Sequence, residues 1–184
     1  MTTHLDVPRL AAGDRFLLRP WETGDLPLVQ EASADAYIPL ITTVPSPYSR
    51  EAGEAFVRRQ WERASTGTGY PFVIVRTEDR CPVGAIGLWL RDAHEGRASL
   101  GYWTAGSARG QGAAAAALRA VASWGLADLG IPRLQLCVEP WNTASARTAE
   151  AAGFHREGLL RSWQPVDGRR RDMLMYSLLS TDLP

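Results

Sequence analysis

The sequence predicts an α/β fold in which helices flank a mixed, mostly antiparallel sheet. Three observations carry this. Strand-like and helix-like runs follow the order β, α, α, three strands, α, β, α and a closing hairpin. The three middle runs are joined only by "TEDRC" and "AHEG", connections short enough to favour antiparallel neighbours. Only the stretch 97–139 has the strand–loop–helix–strand form of a parallel crossover unit.

Taken in order, residues 1–13 read as a loose lead-in and "RFLLRPW" (15–21) as a first strand closed by Pro20. "TGDLPLVQEASAD" (23–35) reads as a short helix entered at Thr23 or Asp25. "YIPLITTVPSPYS" (37–49) holds three prolines and no helical period, so it is expected to be a loop. Its Tyr37, Ile38, Leu40, Ile41 and Tyr48 favour burial, which makes the loop a packed cover. "SREAGEAFVRRQWERAS" (49–65) is an amphipathic helix with Ser49 as N-cap and Phe56, Val57 and Trp61 on one side.

Three strands follow, "YPFVIVR" (70–76), "PVGAIGLWLRD" (82–92) and "RASLGYWTA" (97–105). The helix after the glycine pair at 110 and 112 places Leu118, Val121, Ala122, Gly125 and Leu129 on one face and stops at Gly130. In "RLQLCVE" (133–139), Leu134, Leu136 and Val138 face one way and Gln135, Cys137 and Glu139 the other. Asn142 caps a helix ending at Gly153, and "PVDG" turns a final hairpin. Trp61, Trp89 and Trp124 fall in core patterns; Trp21, Trp141 and Trp163 lie near turns, as candidates to border a binding site or a subunit contact.

Composition narrows the function classes. The 184 residues suit one domain spanning 1–184, with the 45% hydrophobic and 22% charged content of a soluble globular protein. Twenty basic and twenty acidic residues cancel, which leaves no electrostatic basis for nucleic acid or an anionic membrane as partner. Every basic residue is Arg, so Schiff-base and phosphate-loop lysines are excluded. Cys81 and Cys137 stand far apart, and His4, His94 and His155 have no ligand spacing, so neither a disulfide framework nor a metal site is expected. There is no apolar run of membrane-spanning length and no signal-peptide core, and a cytoplasmic location is expected.

The chemistry-bearing stretch is "YWTAGSARGQGAAAAALRAVASWG" (102–125). Gly110 and Gly112 strip side chains from the mouth of a helix and leave Arg109 beside it. Free backbone N–H groups at a helix N-terminus bind phosphate well. A Walker loop is ruled out, because Ala113 and Ala114 follow Gly112 where Lys and Ser or Thr are needed. Gly110, Gly112 and Ala115, with Glu139 closing the next strand, formally meet a dinucleotide fingerprint. The gap between strand and glycine is too long for its tight turn, and too little chain follows to complete its sheet.

Arg109, Gly112 and Ala114 also meet the pattern R-x-x-G-x-A. Around it stand "LRPWETGD" (18–25), "VGAIGL" (83–88), "LGYW" (100–103), "ARGQGAAAAAL" (108–118), "VEPWNTAS" (138–145) and "AAGFHREGLLR" (151–161). With these six stretches in order, the chain resembles the GNAT superfamily of acyl-CoA-dependent N-acetyltransferases over nearly its whole length. The resemblance is closest to the branch that acetylates ribosomal-protein N-termini, the Rim-type enzymes.

The resemblance implies a sheet splayed between strands 97–105 and 133–139, with acetyl-CoA as co-substrate. Its pantetheine arm would lie in the splay against the backbone of the first strand, at Tyr102, Trp103 and Thr104. Its pyrophosphate would sit on the N–H groups of Gly110, Gln111, Gly112, Ala113 and Ala114, beside Arg109. Asn142 would bond the pantetheine arm, and Ser145, three residues on, would place its hydroxyl near the sulfur as the acid. The bland alternative makes Asn142 an N-cap and Ser145 a bystander in the first turn.

The tyrosine that many members use as acid would fall at Ala149, and the glutamates used as base fall at Cys137 or Gln164. Glu139 is left as a candidate base acting through a water, against a reading as a solvated strand-end carboxylate. With no dedicated base at all, about a tenth of an α-amine (pKa about 7.7–8.0) is already neutral at pH 7, whereas a lysine amine (about 10.4) is not. The acceptor is therefore expected to be a protein N-terminal α-amine or another small amine of low pKa, with loop 37–49 as the site wall. The basic run "GRRRD" (168–172) reads either as solvated hairpin charge or as steering for an acidic acceptor or phosphate. A monomer or homodimer is expected. The rival functions are a non-catalytic acyl-CoA-binding module and a dinucleotide-dependent oxidoreductase.

Overall fold

β1 (Leu10–Ala12) pairs antiparallel with β2 (Phe16–Arg19), and from there each strand lies beside its sequence neighbour. The series runs through β3 (Gly69–Arg76), β4 (Pro82–Trp89) and β5 (Arg97–Thr104), all antiparallel. The computed structural model describes residues 5–182. β6 (Arg133–Val138) then runs parallel to β5, and β8 (Arg169–Leu179) separates it from the edge strand β7 (His155–Val166).

The β5–β6 pairing is the feature that matters for function. Only Arg97, Ala98 and Ser99 find partners, at Arg133, Leu134 and Gln135. Beyond them β5 stays with β4 as far as Thr104, while β6 stays with β8 as far as Val138. The sheet therefore opens between two strands that are each held firmly on their outer side. Residues 100–104 of β5 have no ladder partner on the side of the opening.

Helices cover both faces. α4 (Ala113–Ala127) and α5 (Thr143–Ala151) lie over one, where Leu118, Val121, Ala122 and Leu126 pack on Leu88, Leu134 and Leu136. Gly125 lets α4 come close, since a Cβ there would sit 3.3 Å from the Leu134 side chain and 3.4 Å from that of Leu88. α1 (Leu26–Ser33) and α3 (Arg50–Ser65) cover the other face, with Trp21, Phe56, Val57, Val73 and Trp103 in a second cluster. Ser49 caps α3 as expected, accepting a bond from the Ala52 N–H at 3.1 Å. Asp167 and Gly168 both take the positive φ that a tight hairpin turn requires.

Several expectations change. Leu10–Ala12, read as part of a loose lead-in, forms a strand, and Ala12 is buried. The helix expected over 23–35 is a 3-10 turn at Thr23–Asp25 followed by α1, because Asp25 turns inward to bond both terminal nitrogens of Arg19, at 2.6 and 2.8 Å. The loop 37–49 contains one helical turn, α2 (Ile38–Ile41). Ile38 is buried, but Leu40 and Ile41 on the same turn are exposed, since a single turn has only one inward side. Trp61 is also exposed; its indole lies across the surface and donates to the Trp21 carbonyl at 2.8 Å. α4 ends at Ala127, so Leu129 lies past the helix and Leu126 takes the buried place. His4 lies outside the described residues, among which no helix is long and apolar enough to cross a membrane.

Candidate active site

The glycine corner is built entirely from backbone. Gly110 and Gly112 have φ of +77° and +83°, a left-handed conformation that a side chain would strain. A Cβ at either position would meet nothing within 4 Å, so the space above them is open. Gly112 is the N-cap of α4 but brings no side chain to cap it. Among the described residues, the N–H groups of residues 110–115 have no protein acceptor, and Ala116 is the first to bond back, to the Gly112 carbonyl at 3.0 Å. The result is a row of free donors at the positive end of a helix of four turns, a site for an anion.

Arg109 borders this corner, but its guanidinium reaches away to Asp35 at 2.5 Å. The other Asp35 oxygen accepts from the N–H groups of Tyr37 and Ile38, at 2.8 and 2.9 Å. Burial raises the Asp35 pKa, but these two N–H groups and Arg109 outweigh it and hold the carboxyl below its ordinary value. Gln111 is held from the other side, its amide oxygen accepting from Arg76 at 2.9 Å and its carbonyl from Arg15 at 3.4 Å. Side chains thus hold the corner at its flanks and leave the donors uncovered.

The expected residues of β5 divide by face. The Trp103 ring turns into the second core against Trp21, 6.4 Å between centroids, so this residue and Thr104 offer the opening mainly their backbone. Tyr102 packs on the other face and crosses toward α5, its hydroxyl 2.9 Å from Ser145 Oγ and 3.0 Å from the Ser145 carbonyl oxygen. Burial pushes the Tyr102 phenol up to about 12. Asn142 caps α5, its side-chain oxygen accepting from the Ser145 N–H at 3.1 Å. Ser145 is half-buried.

Glu139 departs from its reading as a solvated carboxylate. It is 5% exposed, and Tyr37 donates to it at 2.6 Å across 102 residues of chain. Burial and this carboxylate together push the Tyr37 phenol up, so it stays protonated as the donor. Arg171 of β8 lies 3.7 Å from the other Glu139 oxygen and stands opposite Gln164 in the ladder. The Tyr37 ring packs edge-on against Trp141, 4.8 Å between centroids. A cleft of about 400 Å³ opens here, lined by Glu139, Pro140, Trp141, Arg170, Arg171 and Asp172. Cys137 is half-buried, and burial pushes its thiol up. Among the described residues there is no cluster of three or more His, Cys, Asp or Glu able to hold a metal.

Sequence reasoning missed the roles of Asp35, Tyr37 and the Tyr102 hydroxyl. Asp35 and Tyr37 carried only the signals of a helix end and a burial-seeking loop residue. Tyr102 stood in the expected site for its backbone alone, because nothing local shows where a hydroxyl 43 residues from Ser145 will reach.

Residues 15–155 match the family model of the acetyltransferase (GNAT) domain. The chain belongs to this family. The N-acetyltransferase p20 of Bacillus licheniformis, itself uncharacterised, is 34% identical over 110 residues, which span 60% of this chain and 61% of that protein. The match with p20 thus covers about three-fifths of either protein. YnaD of Bacillus subtilis, a second uncharacterised N-acetyltransferase, is 26% identical over 172 residues, 91% of this chain and 95% of its own. Mycobacterium smegmatis RimJ, solved in complex with CoA-disulfide, superposes with a TM-score of 0.82 at 28% identity, covering 97% of this chain and 88% of RimJ. The splayed GNAT sheet and the Rim-type resemblance are both upheld. The dinucleotide reading is not: β5 and β6 are the only parallel pair among the described strands, so its parallel sheet is missing.

The residues present fit acetyl-CoA. The open donor row suits a diphosphate, and the free edge of β5, whose Tyr102 meets Ser145, suits an extended amide-bearing arm. Acetyl-CoA, when bound, supplies an acyl group activated as a thioester.

Proposed function

We propose that the chain is an acetyl-CoA-dependent N-acetyltransferase, formed as one domain, that acts on a primary amine by direct transfer in a ternary complex. The observation that carries this is that both corners follow the C-terminal ends of the two parting strands: backbone donors at residues 110–115 beyond β5, and Glu139 with Tyr37, Trp141 and Arg171 beyond β6. Coenzyme A contacts are assigned to the backbone of Tyr102, Trp103 and Thr104, the N–H groups of Gly110, Gln111, Gly112, Ala113 and Ala114, and the side chain of Asn142. Arg109 contributes by holding the loop in place through Asp35 rather than by touching phosphate.

In the transfer, the amine nitrogen forms a bond to the acyl carbon while the carbon–sulfur bond breaks. The proton shed by nitrogen goes to Glu139, directly or through a water. Ser145 donates a hydrogen bond to the departing sulfur, and solvent completes its protonation. Glu139 stands close to where Gln164 lacks a carboxylate, since Arg171 faces both. An acceptor amine attached to a protein N-terminus fits the open cleft beside Trp141, which is 60% exposed.

The test is acetyl-CoA consumption with short peptides bearing free N-terminal amines, with lysine side-chain amines blocked or free, and with spermidine. Acetylation of the peptide α-amine supports the reading. Turnover only with spermidine or lysine side chains moves the acceptor class. Tight coenzyme A binding with no turnover of any amine favours a non-catalytic acyl-CoA-binding module.

A further inference from the structure

Ser145 and Tyr102 form a pair of hydroxyls whose geometry restricts where their two protons can go. The phenol has one proton and two neighbours, the Ser145 carbonyl at 3.0 Å and Ser145 Oγ at 2.9 Å. The carbonyl only accepts. If the phenol donates to it, Ser145 Oγ must donate to the phenol oxygen, and the serine proton is used up inside the protein. If the phenol donates to Oγ, the serine proton is free to point outward into the opening. Among the described residues, Tyr102 is the only hydrogen-bond partner of Ser145 Oγ. One rotation of the phenol proton therefore decides whether Ser145 can serve a third group.

We propose that Tyr102 is a positioning residue for Ser145, its phenol donating to Oγ so that the serine hydroxyl becomes a donor to the sulfur of coenzyme A. This rests on the reading of Ser145 given above. The phenol suits the task for two reasons. It reaches Oγ from β5, the strand that borders the opening and has no ladder partner there, so the pair links β5 to α5 beside the opening. Burial also keeps it protonated: with its ionisation pushed up to about 12, it remains a donor throughout the neutral and mildly alkaline range. A hydroxyl that accepts one bond is a stronger donor in the next, so the pair is worth more to the sulfur than a lone serine.

The test is the pH dependence of coenzyme A affinity, read by calorimetry against desulfo-coenzyme A, in which hydrogen replaces the thiol. A donor on sulfur favours the charged form, so the bound thiol should ionise below a free thiol's ordinary value of about 8.5. As pH rises through that lowered value toward about 8.5, coenzyme A should gain affinity over the desulfo compound, by about tenfold for one unit of lowering. The wild type is expected to show this gain, Ser145→Ala to abolish it, and Tyr102→Phe to remove most of it. Desulfo-coenzyme A should bind all three alike, which reports on the fold of each variant. The double variant should match Ser145→Ala alone, whereas two independent contributions would add. Full gain in Tyr102→Phe overturns the inference and leaves Ser145 in its role. No gain in the wild type, or a gain that survives Ser145→Ala, overturns the role of Ser145 and the inference with it.

Discussion

The two strand ends that border the splay are made from different materials. The cofactor end is contiguous in sequence and nearly all backbone: six N–H groups at 110–115 and two glycines in a left-handed conformation. The proposed acceptor end is all side chain and assembled from afar, with Tyr37, Glu139, Trp141 and Arg171 drawn from three segments. A helix N-terminus recognises phosphate whatever else the molecule carries, so that end needs little beyond bare donors. Selection of an acceptor amine needs particular groups in particular places, and only side chains supply those. A tie joins the two ends, Arg109 to Asp35, which runs from the glycine corner to the N–H groups that start α2.

The largest effect is expected from breaking the cofactor end. Gly112→Asp puts a carboxylate and a strained φ where an anion should bind, and coenzyme A affinity should fall by at least about 100-fold. No protein atom lies within 4 Å of the new Cβ, so the fold should survive with a Tm lower by only about 2–8 °C. Calorimetry with coenzyme A and a thermal melt check both, and unchanged affinity in a folded variant would remove the phosphate assignment.

A middling effect should follow at the acceptor end, and there the split between kcat and cofactor affinity is the useful reading. Glu139→Gln should lower kcat by about 100-fold if the carboxylate takes the amine proton. Tyr37→Phe, which removes only the 2.6 Å bond to that carboxylate, should raise the acceptor KM severalfold. Coenzyme A should bind both variants as it binds the wild type. A loss of coenzyme A affinity in either would show that the two ends are not separate.

The smallest effect belongs to the tie. The Asp35 carboxyl is held below its ordinary value in the folded protein, so its contribution is fully present above the ordinary carboxylate range and is lost as pH falls through the lowered value. Arg109 is exposed and the pair is partly screened, so Asp35→Asn should cost about 1 kcal/mol, or about 2–4 °C in Tm at neutral pH. That difference should shrink as pH falls below the ordinary carboxylate value of about 3.9. A difference that stays equal from pH 7 down to the onset of acid unfolding would show that the carboxylate charge plays no part.

The same contrast explains what was legible in the sequence. The glycine corner, the Ser49 cap, the alternation of Leu134, Leu136 and Val138 and the Asp-Gly hairpin were all readable, because each depends on residues within a few positions of one another. Asn142 read correctly as a cap for the same reason. The strand at Leu10–Ala12 was not, since three residues carry no period and the strand exists only because β2 offers it an edge. Glu139 looked like a solvated strand end because the tyrosine that covers it stands 102 residues earlier.

By itself the sequence determined the order and kind of the elements and the bare helix mouth that points to a phosphate. Turn chemistry, side-chain period and backbone freedom are local properties, and they act before distant parts of the chain meet. Only the tertiary structure decided that β5 and β6 part after three residue pairs, that Tyr102 reaches Ser145 across the gap, and that Tyr37 and Arg171 converge on a buried Glu139. Those contacts depend on strand order and on where the sheet opens, which no short window of residues contains.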